Sequence, residues 1–183
     1  VAQCGACIRQ PPPLDQCLAA VDYAYPWNER INHFKFRDQV GAAASLAALM
    51  QQTPGATAAL AQSDLILPMP LSTERLRERG YNQALLLARQ LSRDAPDKTN
   101  AHLLLRIRHT PPQQGLTRAQ RVRNLRGAFL VEPLHTAQVQ QRCVLLIDDV
   151  MTTGASLHAA ALALHSAGAA GVSALVLART PAA

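Results

Sequence analysis

Apolar and polar positions along the 183-residue chain alternate between two periods. Short apolar runs of strand length recur at Asp64 to Leu67, Leu103 to Arg108, Gly127 to Val131, Cys143 to Ile147 and Val172 to Ala178. Between them lie segments with helical character. Val40 to Gln51 is Ala-rich and broken by Thr53-Pro54-Gly55; Tyr81 to Ser92 has an amphipathic period; Leu157 to Ser166 is rich in Ala and Leu, which favour helix. This alternation predicts an α/β protein with a mainly parallel central sheet flanked by helices. Residues 1–19 read as a loosely structured lead-in, stiffened by Pro11-Pro12-Pro13. Residues 109–126 lack a sustained apolar period and read as a long loop, partly helical from Thr117 to Asn124. Gln138 to Arg142 is a polar lead-in to the run that follows.

The run ending at Ile147 changes character abruptly. Two acids, Asp148 and Asp149, follow it, then Val150-Met151, then Thr152-Thr153-Gly154-Ala155-Ser156. The order is buried strand, acid pair, hydroxyl and glycine loop, helix. Ligands of open α/β sheets bind at the carboxyl ends of strands. A helix N-terminus beside Thr and Ser hydroxyls is suited to a phosphomonoester. Gly154 permits close approach of the backbone. Carboxylates would repel a phosphate, so the acids suit a neighbouring vicinal diol, whose hydroxyls they accept. Phosphate plus diol at this spacing describes a ribose 5-phosphate.

A second candidate phosphate loop, Pro68-Met69-Pro70-Leu71-Ser72-Thr73-Glu74-Arg75, follows another strand. Leu71, Ser72, Thr73 and Arg75 offer N–H groups, hydroxyls and a guanidinium suited to pyrophosphate. The same residues also spell an ordinary helix start with Ser72 or Thr73 as cap.

Composition sharpens this picture. The net charge of +6 is uneven: Arg75 to Arg126 holds twelve basic and three acidic residues, a surplus of nine, and the remainder is net −3. Such a block suits a polyanionic small molecule or nucleic acid. Five of the seven aromatics, Tyr23, Tyr25, Trp27, Phe34 and Phe36, fall in residues 20–36. They form either a packing cluster or a hood with a stacking surface for an acceptor. Cys4-Gly5-Ala6-Cys7 has the spacing of one zinc knuckle without a second; Cys17 and His33 lack ligand spacing, and Cys143 reads as a small core hydrophobe. No apolar stretch is long enough to span a bilayer and no signal-peptide pattern opens the chain, so no membrane partner and a cytoplasmic, disulfide-free protein are expected.

The Asp148 to Ser156 segment resembles the 5-phosphoribosyl-1-pyrophosphate (PRPP) motif of type I phosphoribosyltransferases. Several further features make nearly the whole chain similar to the ComF/GntX family of competence-associated, phosphoribosyltransferase-like proteins. They are Cys4 to Cys7 followed by three prolines, His33-Phe-Lys-Phe36, Pro-Met-Pro-Leu, Arg77-Glu-Arg-Gly-Tyr-Asn-Gln83 and Asn124-Leu-Arg-Gly-Ala-Phe129. The resemblance implies a type I phosphoribosyltransferase fold over 20–183 with a small N-terminal hood. Residues 1–19 would be the remnant of a zinc-ribbon-like segment, in which only one Cys-x-x-Cys pair remains. The resemblance further implies Mg²⁺-dependent PRPP binding, with Asp148 and Asp149 catalytic, Thr152 to Ser156 on the 5-phosphate and Leu71 to Arg75 on the pyrophosphate. A flexible loop would carry Arg108, Gln114 and Arg121, and Leu71–Ser72 would be a non-proline cis peptide. The implied reaction transfers ribose 5-phosphate to a nitrogen acceptor that no residue identifies. The alternatives are a silent PRPP sensor and a DNA-associated competence adaptor, with competence or DNA-processing proteins as partners. Zinc at Cys4 and Cys7 and the oligomeric state, a dimer included, stay open.

Overall fold

In a computed structural model of the protein, residues 11–36, 40–107 and 127–181 are described. Four strands make the central sheet: β1 (Gln16–Asp22), β2 (Leu65–Pro68), β5 (Cys143–Met151) and β6 (Gly171–Arg179). Their order is β1-β6-β5-β2, and every pairing is parallel. The remaining two strands, β3 (Leu104–Arg106) and β4 (Phe129–Val131), pair antiparallel as a separate two-stranded sheet. Among the described residues the α-helices are α1 (Trp27–Phe36), α2 (Ala43–Gln51), α3 (Ala56–Gln62), α4 (Thr73–Arg79), α5 (Gln83–Leu91) and α6 (Ala155–Ser166). The α/β class, the parallel sheet and the type I phosphoribosyltransferase-like arrangement therefore match the expectation.

A parallel sheet is covered on both faces, and its strands alternate between two cores. Along β5, Val144 and Leu146 enter one core while Leu145 and Ile147 enter the other. Along β6, Val172, Ala174 and Val176 join the first, and Leu175 and Leu177 the second. The first core is closed by α6 through Leu157, Ala160, Ala161 and Leu164, with Leu104, Phe129 and Val131 of the small sheet. The second is closed by Ile31 and Phe34 of α1, Leu46 and Met50 of α2, and Leu87 and Leu91 of α5. Each fully buried Leu or Ile of this kind contributes about 1.5–3 kcal/mol relative to exposure.

Several local expectations are corrected. Residues 16–19 are not a loose lead-in: Gln16 opens β1, an edge strand held on β6 from Gln16↔Ser173 to Asp22↔Arg179. Asp15 clamps its start, its N–H donating to the Val172 carbonyl and its carboxylate accepting from the Val172 N–H. The strand through the acid pair does not stop at Ile147. Register with β6 carries it through Asp148↔Val176 and Val150↔Ala178 to Met151↔Arg179. Cys143 is exposed rather than core, because it is the first residue of β5. Two helices, α1 and α3, go beyond the sequence pattern, whereas α4 matches the helix start capped by Ser72 that was the alternative to a pyrophosphate loop. The aromatic cluster is mainly packing: Phe34 is fully buried, Tyr23 and Trp27 lean on the second core, and Tyr25 stays exposed.

Candidate functional site

The carboxyl ends of β5 and β2 meet beside α1. Asp148 and Asp149 occupy the last turns of the β5 pleat, where successive side chains leave opposite faces of the sheet. Asp148 lies on the side of Leu146, toward the small sheet; Asp149 lies on the side of Ile147, toward α1. Asp149 is buried and its Oδ2 lies 3.3 Å from Nζ of Lys35, whose side chain is 14% exposed. Asp148 is influenced by the Lys35 charge and, less, by Arg106 of β3, whose guanidinium lies over the Phe129 ring at 5.6 Å from its centroid.

Burial pushes the Asp148 carboxyl up to about 7, and the neighbouring Asp149 charge adds to the rise. The Asp149 N–H, donating to Asp148 Oδ1 at 2.9 Å, opposes it, as do the Lys35 and Arg106 charges. Arg106 is itself pulled below its ordinary range, chiefly by burial and next by Arg75, with Asp148 acting the other way. Arg75, Arg106, Asp148, Asp149 and Lys35 thus form one electrostatic cluster. Lys35 and Arg106 were not singled out from sequence. Lys35 stands inside His33-Phe-Lys-Phe36, a segment noted for its resemblance only; the signal for Arg106 was a cation in a short strand.

The loop after β5 builds a cradle. Gly154 takes a left-handed conformation, φ 74°, and becomes the N-cap of α6. No side chain caps this helix end, so the orphan first-turn N–H groups face the loop. Ala155 and Ser156, expected to be loop, are the first helical residues. A cleft runs along Asp148, Met151, Thr152, Thr153, Gly154 and Ser156, bringing Asp148 and the predicted 5-phosphate residues to one place, while Asp149 lies outside its lining. A Cβ on Gly154 would come within 3.2 Å of Nε2 of His158 and 3.5 Å of the Met151 sulfur.

The loop after β2 differs. Ser72 is buried and caps α4, its hydroxyl accepting from the Arg75 N–H at 3.4 Å. Thr73 is exposed and Leu71 and Arg75 are half-buried. Leu71–Ser72 is trans; the cis bond among the described residues is Tyr25–Pro26. Ser72, at φ −66° and ψ 152°, has the extended backbone of an ordinary N-cap, and nothing in that conformation calls for a cis bond.

Tyr81-Asn82-Gln83 ties these parts together. Asn82 caps α5, accepting from the N–H groups of Ala84 and Leu85, while its amide donates to the Met69 carbonyl at 3.0 Å. The Tyr81 hydroxyl donates to the Phe34 carbonyl, and Gln83 Nε2 donates to the Lys35 carbonyl at 3.4 Å. The last carbonyls of α1, which have no partner within the helix, are satisfied this way. The end of α1 that carries Lys35 is therefore fixed to the start of α5 and, through Asn82, to the β2 loop.

Arg108, Gln114, Arg121, Cys4 and Cys7 lie outside the described residues. Cys17 lies in β1, beside the end of β5. Its thiol donates to the Met151 sulfur at 3.6 Å, and burial pushes its pKa up to about 11, with Arg179 opposing and Asp148 adding to the rise. Among the described residues no group of three or more His, Cys, Asp or Glu side chains could hold a metal. A cavity of about 580 Å³ between α2 and α5, lined in part by Gln51, Gln90, Arg93 and Asp94, contains none of the acid-pair residues. Among the described residues no helix is long and apolar enough to cross a membrane.

No protein-family model matches the chain. It is 37% identical to "Competence protein F" of Haemophilus influenzae over 85% of this chain and 69% of that protein. It is 35% identical to "DNA utilization protein YhgH" of Escherichia coli over 97% of this chain and 78% of that one. A shorter match, 35% identity over 63% of this chain and 45% of the other, is to "Competence protein ComFC" of Bacillus subtilis. With this identity over most of both chains, and an acid-pair strand leading into an uncapped helix on a parallel sheet, the chain belongs to the ComF family.

Proposed function

We propose that the protein binds PRPP and transfers its ribose 5-phosphate to a nitrogen acceptor, releasing pyrophosphate, in a process linked to DNA uptake or utilisation. One observation carries the proposal: Asp148 and Asp149 stand near the carboxyl end of β5, and residues 152–154 join that strand to an α6 N-terminus whose N-cap, Gly154, has no side chain. The 5-phosphate would accept from the α6 N–H groups and the hydroxyls of Thr152, Thr153 and Ser156. The acids would accept from the ribose hydroxyls. The link to DNA rests on the names of the relatives, a competence protein and a DNA utilization protein.

In the transfer, a nitrogen lone pair forms the bond to C1 as the C1–oxygen bond to pyrophosphate breaks. Charge on the oxocarbenium-like transition state would be offset by the nearby carboxylates. A magnesium ion bound with PRPP would be held mainly by the ligand's own phosphates and waters. When bound, that ion supplies neutralisation of the leaving pyrophosphate. Arg75 and Arg106 are placed to meet the remaining negative charge.

The test is pyrophosphate release from PRPP and Mg²⁺ across a panel of bases and amines. Turnover with any acceptor supports the enzyme. Binding without turnover replaces it with a PRPP sensor. Salt-dependent DNA binding that persists in an Asp148→Asn, Asp149→Asn double variant, with no PRPP binding, replaces it with a DNA-associated adaptor.

A further inference from the structure

Lys35 has no assigned part in the chemistry above, yet it is the direct ionic partner of Asp149. We propose that Lys35 is a further ligand-binding residue of this site: it exchanges its carboxylate partner for the pyrophosphate group at C1 when the ribose hydroxyls take over Asp149. The inference rests on the PRPP proposal and adds to it a second contact on the leaving group, supplied from α1.

Three features support the exchange. The Lys35–Asp149 pair is largely out of water, with side-chain exposures of 14% and 12%. Neither charge can be left bare in such a place, because an uncompensated buried charge costs several kcal/mol. If hydroxyls displace the ammonium from Asp149, it must find another anion nearby. The backbone under Lys35 is pinned, by Tyr81 on the Phe34 carbonyl and Gln83 on the Lys35 carbonyl. Only the flexible four-carbon stem is left to swing. Finally, Asn82, between those two anchors, is bonded to the Met69 carbonyl at the start of the β2 loop. The Lys35 end of α1 is therefore tied to the start of the β2 loop, the loop that leads to Arg75.

An ammonium that only balances Asp149 predicts something different. Removing it would then disturb the acid pair and weaken every ligand that uses the diol. On the exchange, Lys35 competes with the diol and helps the pyrophosphate, so the two ligand classes separate.

The experiment is calorimetry of the full chain with PRPP plus Mg²⁺ and with ribose 5-phosphate, for wild type, Lys35→Met and Lys35→Arg. The expected result in Lys35→Met is a loss of about tenfold or more in PRPP affinity, the size of one charge-assisted contact. Ribose 5-phosphate should bind as well as before or better, and Lys35→Arg should retain most PRPP affinity. Equal losses for both ligands in Lys35→Met, or no loss for PRPP, overturn the inference while leaving the PRPP proposal standing. Wild type that binds neither ligand overturns the proposal itself. Lys35→Gln, which keeps a donor for Asp149, is read by the same criterion and guards against a Lys35→Met chain that does not fold.

Discussion

The loops after β5 and β2 begin alike. Each leaves a buried parallel strand, and each turns into a helix within a few residues. Their helix ends are finished differently. At α6 the N-cap is Gly154, which contributes no side chain, so the first-turn donors are left for something else. At α4 the N-cap is Ser72, whose hydroxyl already takes the Arg75 N–H. Strand-then-helix geometry is thus shared, and the cap residue decides which helix end is open to an anion. On the proposed function, the β5 loop would receive its ligand through the backbone. The β2 loop is internally satisfied and offers mainly side chains, Arg75 first among them.

The sharpest way to break this contrast is to strip the hydroxyls. Thr153→Ala with Ser156→Ala should lower PRPP affinity about a hundredfold, near 3 kcal/mol for two bonds to a charged group. Ser72→Ala should leave affinity within a few-fold. Calorimetry that finds equal losses for the two sets would show the loops to be equivalent.

Glycine offers the next largest effect. Gly154 and Gly80 have nearly the same φ, 74° and 76°. Alanine at Gly154 would meet His158 and Met151, whereas alanine at Gly80 would meet nothing within 4 Å. Gly80→Ala should cost about 1 kcal/mol, the left-handed penalty alone, and Gly154→Ala about 2–3 kcal/mol. Denaturant unfolding measures both; equal costs would mean that the cradle is not tightly packed around its glycine.

Asp148 gives a pH signature. Its folded pKa is about 7, above the ordinary carboxyl value of 3.8, so the folded protein holds a proton that the unfolded chain has released. Its contribution to stability is therefore present at low pH and declines as pH rises from about 4 through 7. Asp148→Asn should stabilise the fold at pH 8, on the order of 2 kcal/mol, and the gain should shrink toward pH 5. A gain that is flat or reversed between those values would place the buried charge elsewhere.

The smallest effect is the one that Ser72 does have. Losing the α4 cap should cost about 1 kcal/mol of stability. A melting shift in Ser72→Ala without loss of PRPP affinity would assign Ser72 to the fold rather than the ligand.

Much of this was legible in the residue order. Buried runs such as Val144 to Ile147 are long enough for strands and too short for helices, so the parallel sheet could be read directly. The acids, the threonines, Gly154 and Ser156 adjoin in sequence, and a strand-to-helix turn keeps adjacent residues together in space. Boundaries were less legible. β5 continues four residues past Ile147 because β6 pairs with it that far, and Gln16 to Asp22 is a strand only because β6 offers an edge.

The sequence by itself determined the class of fold, the pairing of acids with a phosphate-type loop, and the resemblance that relatives sharing 35–37% identity bear out. These depend on local spacing and on burial, which a linear pattern records. Only the tertiary structure decided which charges meet. The pleat sends Asp148 and Asp149 to opposite faces of the sheet, yet Lys35 from α1 pairs with Asp149 and acts on Asp148 as well, with Arg106 from the small sheet the weaker influence on Asp148. Those partners lie tens of residues away in the chain, and nothing in a periodic pattern says which distant cation will stand over a given carboxylate. Long-range charge pairing is fixed by how the layers pack.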